Sequence, residues 1–341
     1  MLKKEGLQST VEKVEIGGKF YAQKTATADG MQELVEQVEL FNALPPELAI
    51  HYPKLVEADL SSDPAHYTMD FYPYPTVRHL LIDSDKDAAF INTRLYIVSE
   101  FLTKRQHEWR KAAVPDSYIE KKYLDRVRKR LEKMRQKDDQ FGQLLDGQRL
   151  YLGNTEFLNP LVMVDAIERD KKVMKMLAPT SVCSTHGQME FGHILVDEKD
   201  QNNFILLDPR GMDDLLDTHY DFGKLRQCSN GLHDWLEEGL FDFEGITIGT
   251  TDSVVESLIF RLPERVAVLQ KVNSAIDTLL PDLTNSDPNT FYLRTLFAQA
   301  INLLGSVPFC YGFGDFEKGL ACYISGTKAL NEFIKLAEVK I

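Results

Sequence analysis

The stretch from Thr185 to Gly211 constrains this chain more than any other. Two short apolar runs, Ile194 to Val196 and Phe204 to Leu207, flank a polar turn, Asp197 to Asn203, a pattern that reads as a β-hairpin. Before the first run stands Thr185-His186-Gly187-Gln188-Met189-Glu190-Phe191-Gly192-His193; after the second stands Asp208-Pro209-Arg210-Gly211. A hairpin of this kind carries polar, metal-competent side chains at its two ends, within reach of one another.

The chain can bury a large core: it has 341 residues, 43% of them hydrophobic and 27% charged. Its net charge of -13 sets an average field that repels nucleic acid and anionic membrane, while leaving room for a local phosphate site. Cys183, Cys228, Cys310 and Cys322 lie far apart, with no Cys-x-x-Cys pair to suggest zinc or a disulfide framework. The N-terminal Met1-Leu2-Lys3-Lys4-Glu5-Gly6 lacks the apolar core of a signal peptide, and no run has the length of a membrane span. A cytoplasmic protein without membrane insertion and without a nucleic-acid partner is expected.

Val11 to Ile16 and Phe20 to Ala26 alternate around Gly17-Gly18, which predicts a tight hairpin. Met31, Leu34, Val35, Val38 and Phe41 then recur at helical spacing until Pro45-Pro46 stops the run. His66 to Tyr72 reads as a strand entering the Pro73-Tyr74-Pro75 turn, a candidate boundary between residues 1–72 and 73–341. Helices are expected over Ala88 to Arg110 and Ser117 to Lys137, the latter with a basic outer face that reads as a solvated surface or, alternatively, a docking face. Past Tyr220 helices are expected throughout, including Leu258 to Val272, Phe291 to Leu304 and Ala321 to Ala337.

The pattern His186-Gly187-Gln188, four residues, His193, an apolar strand and then Asp208 resembles the catalytic segment of the aminoglycoside phosphotransferase and choline kinase-like families. There the sequence runs His-Gly-Asp, four residues, Asn, strand, metal-binding Asp. The likeness spans nearly the whole chain and is nearest to phosphotransferase-like proteins of bacterial capsule and surface-polysaccharide synthesis. Tyr72-Pro73-Tyr74-Pro75, Tyr118-Ile119-Glu120-Lys121-Lys122, Asp208-Pro209-Arg210-Gly211 and Asp217 to Leu225 carry it. It implies an α+β, bilobal protein-kinase-like fold, with a small sheet-plus-helix lobe, a larger mainly helical lobe and nucleotide in the cleft.

The resemblance also implies roles. Gly6-Leu7-Gln8-Ser9-Thr10 is similar to the phosphate-covering loop, which gives Ser9 a nucleotide contact. Lys24 stands where a phosphate-contacting lysine stands, with Glu36 on the next helix placed to orient it, although Gln37 and Glu39 leave that register open by one turn. Asp70 and Phe71 belong to the adenine-receiving hinge. Asp208 would bind a divalent metal, magnesium or manganese, alongside ATP; His193 would either join it as a ligand or only form hydrogen bonds. His186 would hold the loop, and Asp221, in a segment similar to Tyr-Asp-Leu-Ala-Lys-Leu, would be structural.

Two positions depart from the pattern. Gln188 stands at the catalytic base and cannot accept a proton; general-base assistance is worth about 10²- to 10⁴-fold. Glu190 could act as base if the loop turned it inward. In a loose phosphoryl-transfer transition state positioning carries most of the catalysis, so Gln188 could still orient a hydroxyl. The sequence thus points to an ATP-dependent small-molecule phosphotransferase for a hydroxyl of a sugar, amino sugar or polysaccharide precursor. The alternative is a pseudokinase that binds nucleotide or acts as a scaffold, and transfer of another part of the nucleotide, such as adenylyl, stays open. The acceptor pocket would come from the C-terminal helices, with Asp234, Trp235 and Tyr311 as candidates.

Overall fold

A computed structural model describes residues 3–5 and 8–341. The chain forms two compact units, each assembled from separate stretches: residues 1–112 with 182–218, and residues 113–181 with 219–341.

The first unit opens with an antiparallel sheet built from β1 (Lys3–Glu5), β2 (Ser9–Ile16), β3 (Lys19–Ala26), β4 (Leu55–Asp59) and β5 (His66–Asp70), in the order β1-β2-β3-β5-β4. The expected hairpin is present, with Ile16 paired to Lys19 and left-handed φ at Gly17 and Gly18 closing the turn. Helix α1 (Met31–Ala43) follows and lays Leu34 and Val38 on Ala26, Tyr67 and Met69, so the apolar period read from the sequence becomes the core of this layer. The unit is completed by the short hairpin Ile194–Val196 and Phe204–Leu206, in register Ile194 to Leu206. Its turn is built by Asp197, whose carboxylate accepts from the Lys199 N–H (2.8 Å) and from the Asn203 side chain (3.2 Å). The Pro-Tyr-Pro segment is stitched to this hairpin: the Val196 N–H donates to the Pro75 carbonyl at 3.0 Å, and the Asn203 side chain to the Tyr74 hydroxyl at 2.8 Å.

Helices and a second sheet make up the other unit. The expected long helices occur as Pro288–Tyr311 and Phe316–Leu336, packed on one another. The stretch Ser117 to Lys137 divides into a π-helical turn, Glu120–Leu124, and the α-helix Asp125–Lys137, which buries Val127, Leu131 and Met134 as the stripe predicts. Ala88 to Arg110, in the first unit, is similarly interrupted: the α-helix ends at Phe101 and a π-helical segment, Leu102–Gln106, follows. There the Thr103 hydroxyl donates to the Ser99 carbonyl (2.9 Å), competing with the backbone ladder.

One expectation is corrected. The region after Tyr220 is not helical throughout, because Phe241–Thr247 and Asp252–Phe260 are strands of a four-stranded sheet completed by Arg149–Leu152 and Thr155–Leu158. Leu258 therefore lies inside a strand that ends at Phe260, and the helix expected from it begins at Pro263. Phe241 and Phe243 alternate with the exposed Asp242 and Glu244, a period-2 signal, whereas in the second strand the apolar pair Val254-Val255 obscures the period and Ser253 and Val255 take the buried positions. Among the described residues no helix is long and apolar enough to cross a membrane.

Candidate active site

Two backbone hydrogen bonds frame the site. The Leu207 N–H donates to the His193 carbonyl (2.8 Å) and the Arg210 N–H to the His186 carbonyl (2.9 Å), so residues 186–193 and 207–210 lie side by side at the base of the short hairpin. Gly187 makes this possible. Its φ is +75°, and a Cβ there would meet the Arg210 side chain at 2.5 Å. His186 is fully buried, stacks on Tyr52 (ring centroids 6.1 Å apart) and accepts at Nδ1 from the Gln188 N–H at 3.2 Å. Those contacts fit a residue that holds the loop.

Asp208 sits at the hub with φ of +58°, a left-handed conformation that places its carboxylate against the N-terminal layer. Lys24, projecting from β3 and only 4% exposed, forms a short ion pair with Asp208 Oδ1, and its Nζ lies 3.6 Å from Glu33 Oε1. Gln37 joins them. Its Oε1 accepts from Lys24 Nζ (3.0 Å) and from the Tyr67 hydroxyl (3.0 Å), while its Nε2 donates to Asp208 Oδ1 (2.8 Å) and to the Pro209 carbonyl (2.9 Å).

The electrostatics follow from that geometry. Burial works to deprotonate Lys24, but Asp208, Tyr67 and Glu33 outweigh it and raise its pKa above the usual lysine range. Burial likewise works to raise Asp208, yet Lys24, His193 and the hydrogen bonds from Lys24 and Gln37 hold it well below the usual carboxylate range. Glu33 moves up, through burial first and Asp208 second. At neutral pH Lys24 is a cation and Asp208 an anion.

His193 faces Asp208 from the loop: its Nδ1 lies 2.9 Å from the Gln188 carbonyl and its Nε2 3.8 Å from Asp208 Oδ2. Because a carbonyl can only accept, the Nδ1 of the ring carries the proton, and in the neutral form the lone pair on Nε2 is turned towards the carboxylate. Gln188 is half-buried, and among the described residues its side-chain amide meets no hydrogen-bond partner. Glu190 is buried, its carbonyl accepting from the His193 N–H at 2.9 Å.

Of the residues singled out in the sequence, Lys24, Asp208 and His193 come together, with Gln188 joined to them through its backbone. Glu36 does not orient Lys24. It accepts from Gln32 (2.8 Å) and packs where a Cβ on Gly211 would stand, 2.5 Å away. Gln37 and, more distantly, Glu33 take that place, because the face of α1 turned to β3 is one residue on and three residues back from Glu36. Sequence reading held Gln37 only as a register alternative to Glu36 and did not place Glu33 or Tyr67 beside Lys24; the spacing Glu33 to Gln37, one helical turn, was the available signal.

Asp70 and Phe71 stand apart from this cluster. Asp70 pairs with the exposed Lys19 (2.8 Å), its N–H donates to the Lys54 carbonyl (3.0 Å), and the Phe71 ring lies 4.5 Å from Lys13 Nζ. Ser9 pairs with Ala26 at the start of β2, and Gly6 and Leu7 of the expected phosphate loop lie outside the described residues. In the second unit Asp221 and Asp234 are fully buried, Trp235 donates to the Arg261 carbonyl (2.9 Å) and the Tyr311 hydroxyl to Asp138 (3.0 Å).

A buried lysine, a half-buried carboxylate and an imidazole with one nitrogen turned inward fit a phosphate together with a divalent cation. The oxygen and nitrogen donors would accept manganese or zinc more readily than magnesium, which prefers oxygen alone.

No family model matches the chain, and no curated protein matches it either. Among solved structures, choline kinase LicA from Streptococcus pneumoniae aligns with a TM-score of 0.50 at 13% identity, covering 96% of this chain and 92% of that one. Aminoglycoside phosphotransferase APH(2'')-Ib with ADP bound aligns with a TM-score of 0.47 at 14% identity, over 97% and 92% of the two chains. The gentamicin complex of APH(2")-IIa gives 0.43 at 14%, over 94% and 87%. At these identities the likeness is one of fold: the chain has an α+β, kinase-like fold.

Proposed function

We propose that the chain is an ATP-dependent phosphotransferase acting on a hydroxyl of a small molecule. The observation that carries this reading is the cluster of Lys24, Asp208 and His193, a cation and a metal-competent carboxylate and imidazole brought together from three separate parts of the sequence. Lys24 would contact nucleotide phosphate, and Asp208 with His193 would hold the metal ion. That ion, when bound, supplies charge stabilisation at the transferring phosphoryl group. Gln188, half-buried beside His193, would orient the acceptor hydroxyl through its side-chain amide. Asp70 and Phe71 would border the adenine, Ser9 would approach phosphate, and His186 and Asp221 would serve structure.

A sugar, amino sugar or polysaccharide precursor is the acceptor class we favour, on the resemblance of the Tyr-Pro-Tyr-Pro and Asp-Pro-Arg-Gly motifs to capsule-associated phosphotransferases. The lobe boundary is kept at residues 72 and 73, where the strand from His66 runs into the Pro73-Tyr74-Pro75 turn. One observation favours a second reading, a nucleotide-binding pseudokinase: Gln188 provides no proton acceptor at the position of the base. Glu190 is less suited to replace it, being buried in the turn.

Phosphoryl transfer from ATP to a panel of amino sugars and sugars, followed by ³¹P NMR and ADP release with manganese or magnesium, tests the proposal. Turnover should vanish in Asp208→Ala. Turnover unchanged by that substitution would remove the proposed metal site. If the native chain is inert while Gln188→Asp gains about 10²-fold or more, the pseudokinase reading holds instead.

A further inference from the structure

Gln37 is completely buried, and the groups around it dictate its chemistry. Lys24 and the Tyr67 hydroxyl require an acceptor from it, whereas the Pro209 carbonyl and the Asp208 carboxylate require a donor. An amide satisfies both sides. A carboxylate would leave the Pro209 carbonyl without this donor and set like charges against Asp208 at 2.8 Å.

The consequence is a particular pairing of charges. With no carboxylate at Gln37, the nearest counter-ion of Lys24 is Asp208, and Glu33 stands farther off at 3.6 Å. The two groups assigned above to phosphate and to metal are thus paired with each other. A metal ion arriving alone takes Asp208 away from a buried ammonium and adds a second cation beside it. A phosphate arriving alone takes Lys24 away and meets two carboxylates. Arriving together, they exchange one ion pair for two.

We propose that Gln37 is a positioning residue that makes nucleotide and metal bind as a unit, by latching Lys24 to Asp208 until both are present. The inference rests on the nucleotide-and-metal reading of the site. Coupling of this kind is reciprocal and ordinarily about 5- to 150-fold. In Gln37→Glu the new carboxylate takes over Lys24 and releases Asp208, so the metal no longer waits for the nucleotide.

The test measures Mn²⁺ binding by electron paramagnetic resonance of the free ion, with and without ADP, and ADP binding by calorimetry, with and without Mn²⁺. The native chain should bind each ligand about tenfold or more tightly in the presence of the other. In Gln37→Glu, Mn²⁺ alone should bind about tenfold more tightly and the coupling factor should fall towards one. A general gain in negative charge would tighten Mn²⁺ but preserve the coupling, and that result overturns the latch. Native-chain binding of both ligands without coupling overturns it too, and needs no variant that folds. Failure of both ligands to bind would instead strike the phosphotransferase reading itself.

Discussion

Asp208 adopts a left-handed backbone, directly before a proline and against a buried lysine, and its contacts show how this strain of about 1–3 kcal/mol is offset. Lys24 and Gln37 together give its carboxylate two charge-assisted hydrogen bonds in a partly dry setting. Asp208→Asn, measured by urea unfolding at pH 7, should lose about 3 kcal/mol, since it leaves the Lys24 ammonium short of its main counter-ion. The sign of the pH dependence is fixed. A carboxylate whose folded pKa is depressed adds stability above the unfolded value, about 3.9, and loses it as pH falls further. The gap between native and Asn forms should therefore be flat from pH 5 to 8 and close below about pH 4. Gly187→Ala should cost about 2 kcal/mol in the same assay, through its +75° φ and the Arg210 side chain lying where the methyl would go. At this scale the sequence disclosed Lys24 and Asp208 through their place in a pattern. It left Gln37 only as an alternative to Glu36, because helical spacing defines a face only to within a residue or two, and the packing of α1 on the sheet decides which side chain reaches Lys24.

Among the elements, the hairpins and helices with clean periods were legible: Gly17-Gly18 fixed one turn, Asp197 and Asn203 another, and Leu34 and Val38 the buried face of α1. The strands Phe241–Thr247 and Asp252–Phe260 were not, since Asp252–Phe260 pairs in parallel with Arg149–Leu152, about a hundred positions earlier, a partner no local pattern announces. Buried polar packing in the helical unit was equally hidden. Arg226, 1% exposed on the helix Thr218–Ser229, pairs with Asp277, donates through Nε to Gln299 (3.2 Å) and lies 4.5 Å from the Tyr292 ring centroid. Arg226→Met alone should cost about 3 kcal/mol by thermal or urea unfolding, and Arg226→Met with Asp277→Leu should return to within about 1 kcal/mol of the native chain, as expected when both halves of a buried pair are removed. A double variant no more stable than the single one would show that the pair contributes through its geometry instead.

At the scale of the molecule, each compact unit is drawn from two distant stretches, and residues 182–218 fold with the N-terminal sheet. A linear reading finds the motifs of both stretches but not that grouping, because it rests on contacts such as Lys24 with Asp208, 184 positions apart. The same grouping is what gives the site its proposed chemistry, a phosphate-binding cation and a metal-binding carboxylate in one cluster. Calorimetric titration with ATP in magnesium, in manganese and without metal, on the native chain and on Asp208→Ala, addresses that claim most directly. The account predicts binding that depends on metal, is stronger with manganese and is lost in the variant; ATP binding indifferent to metal and to Asp208, or no binding under any condition, would contradict it.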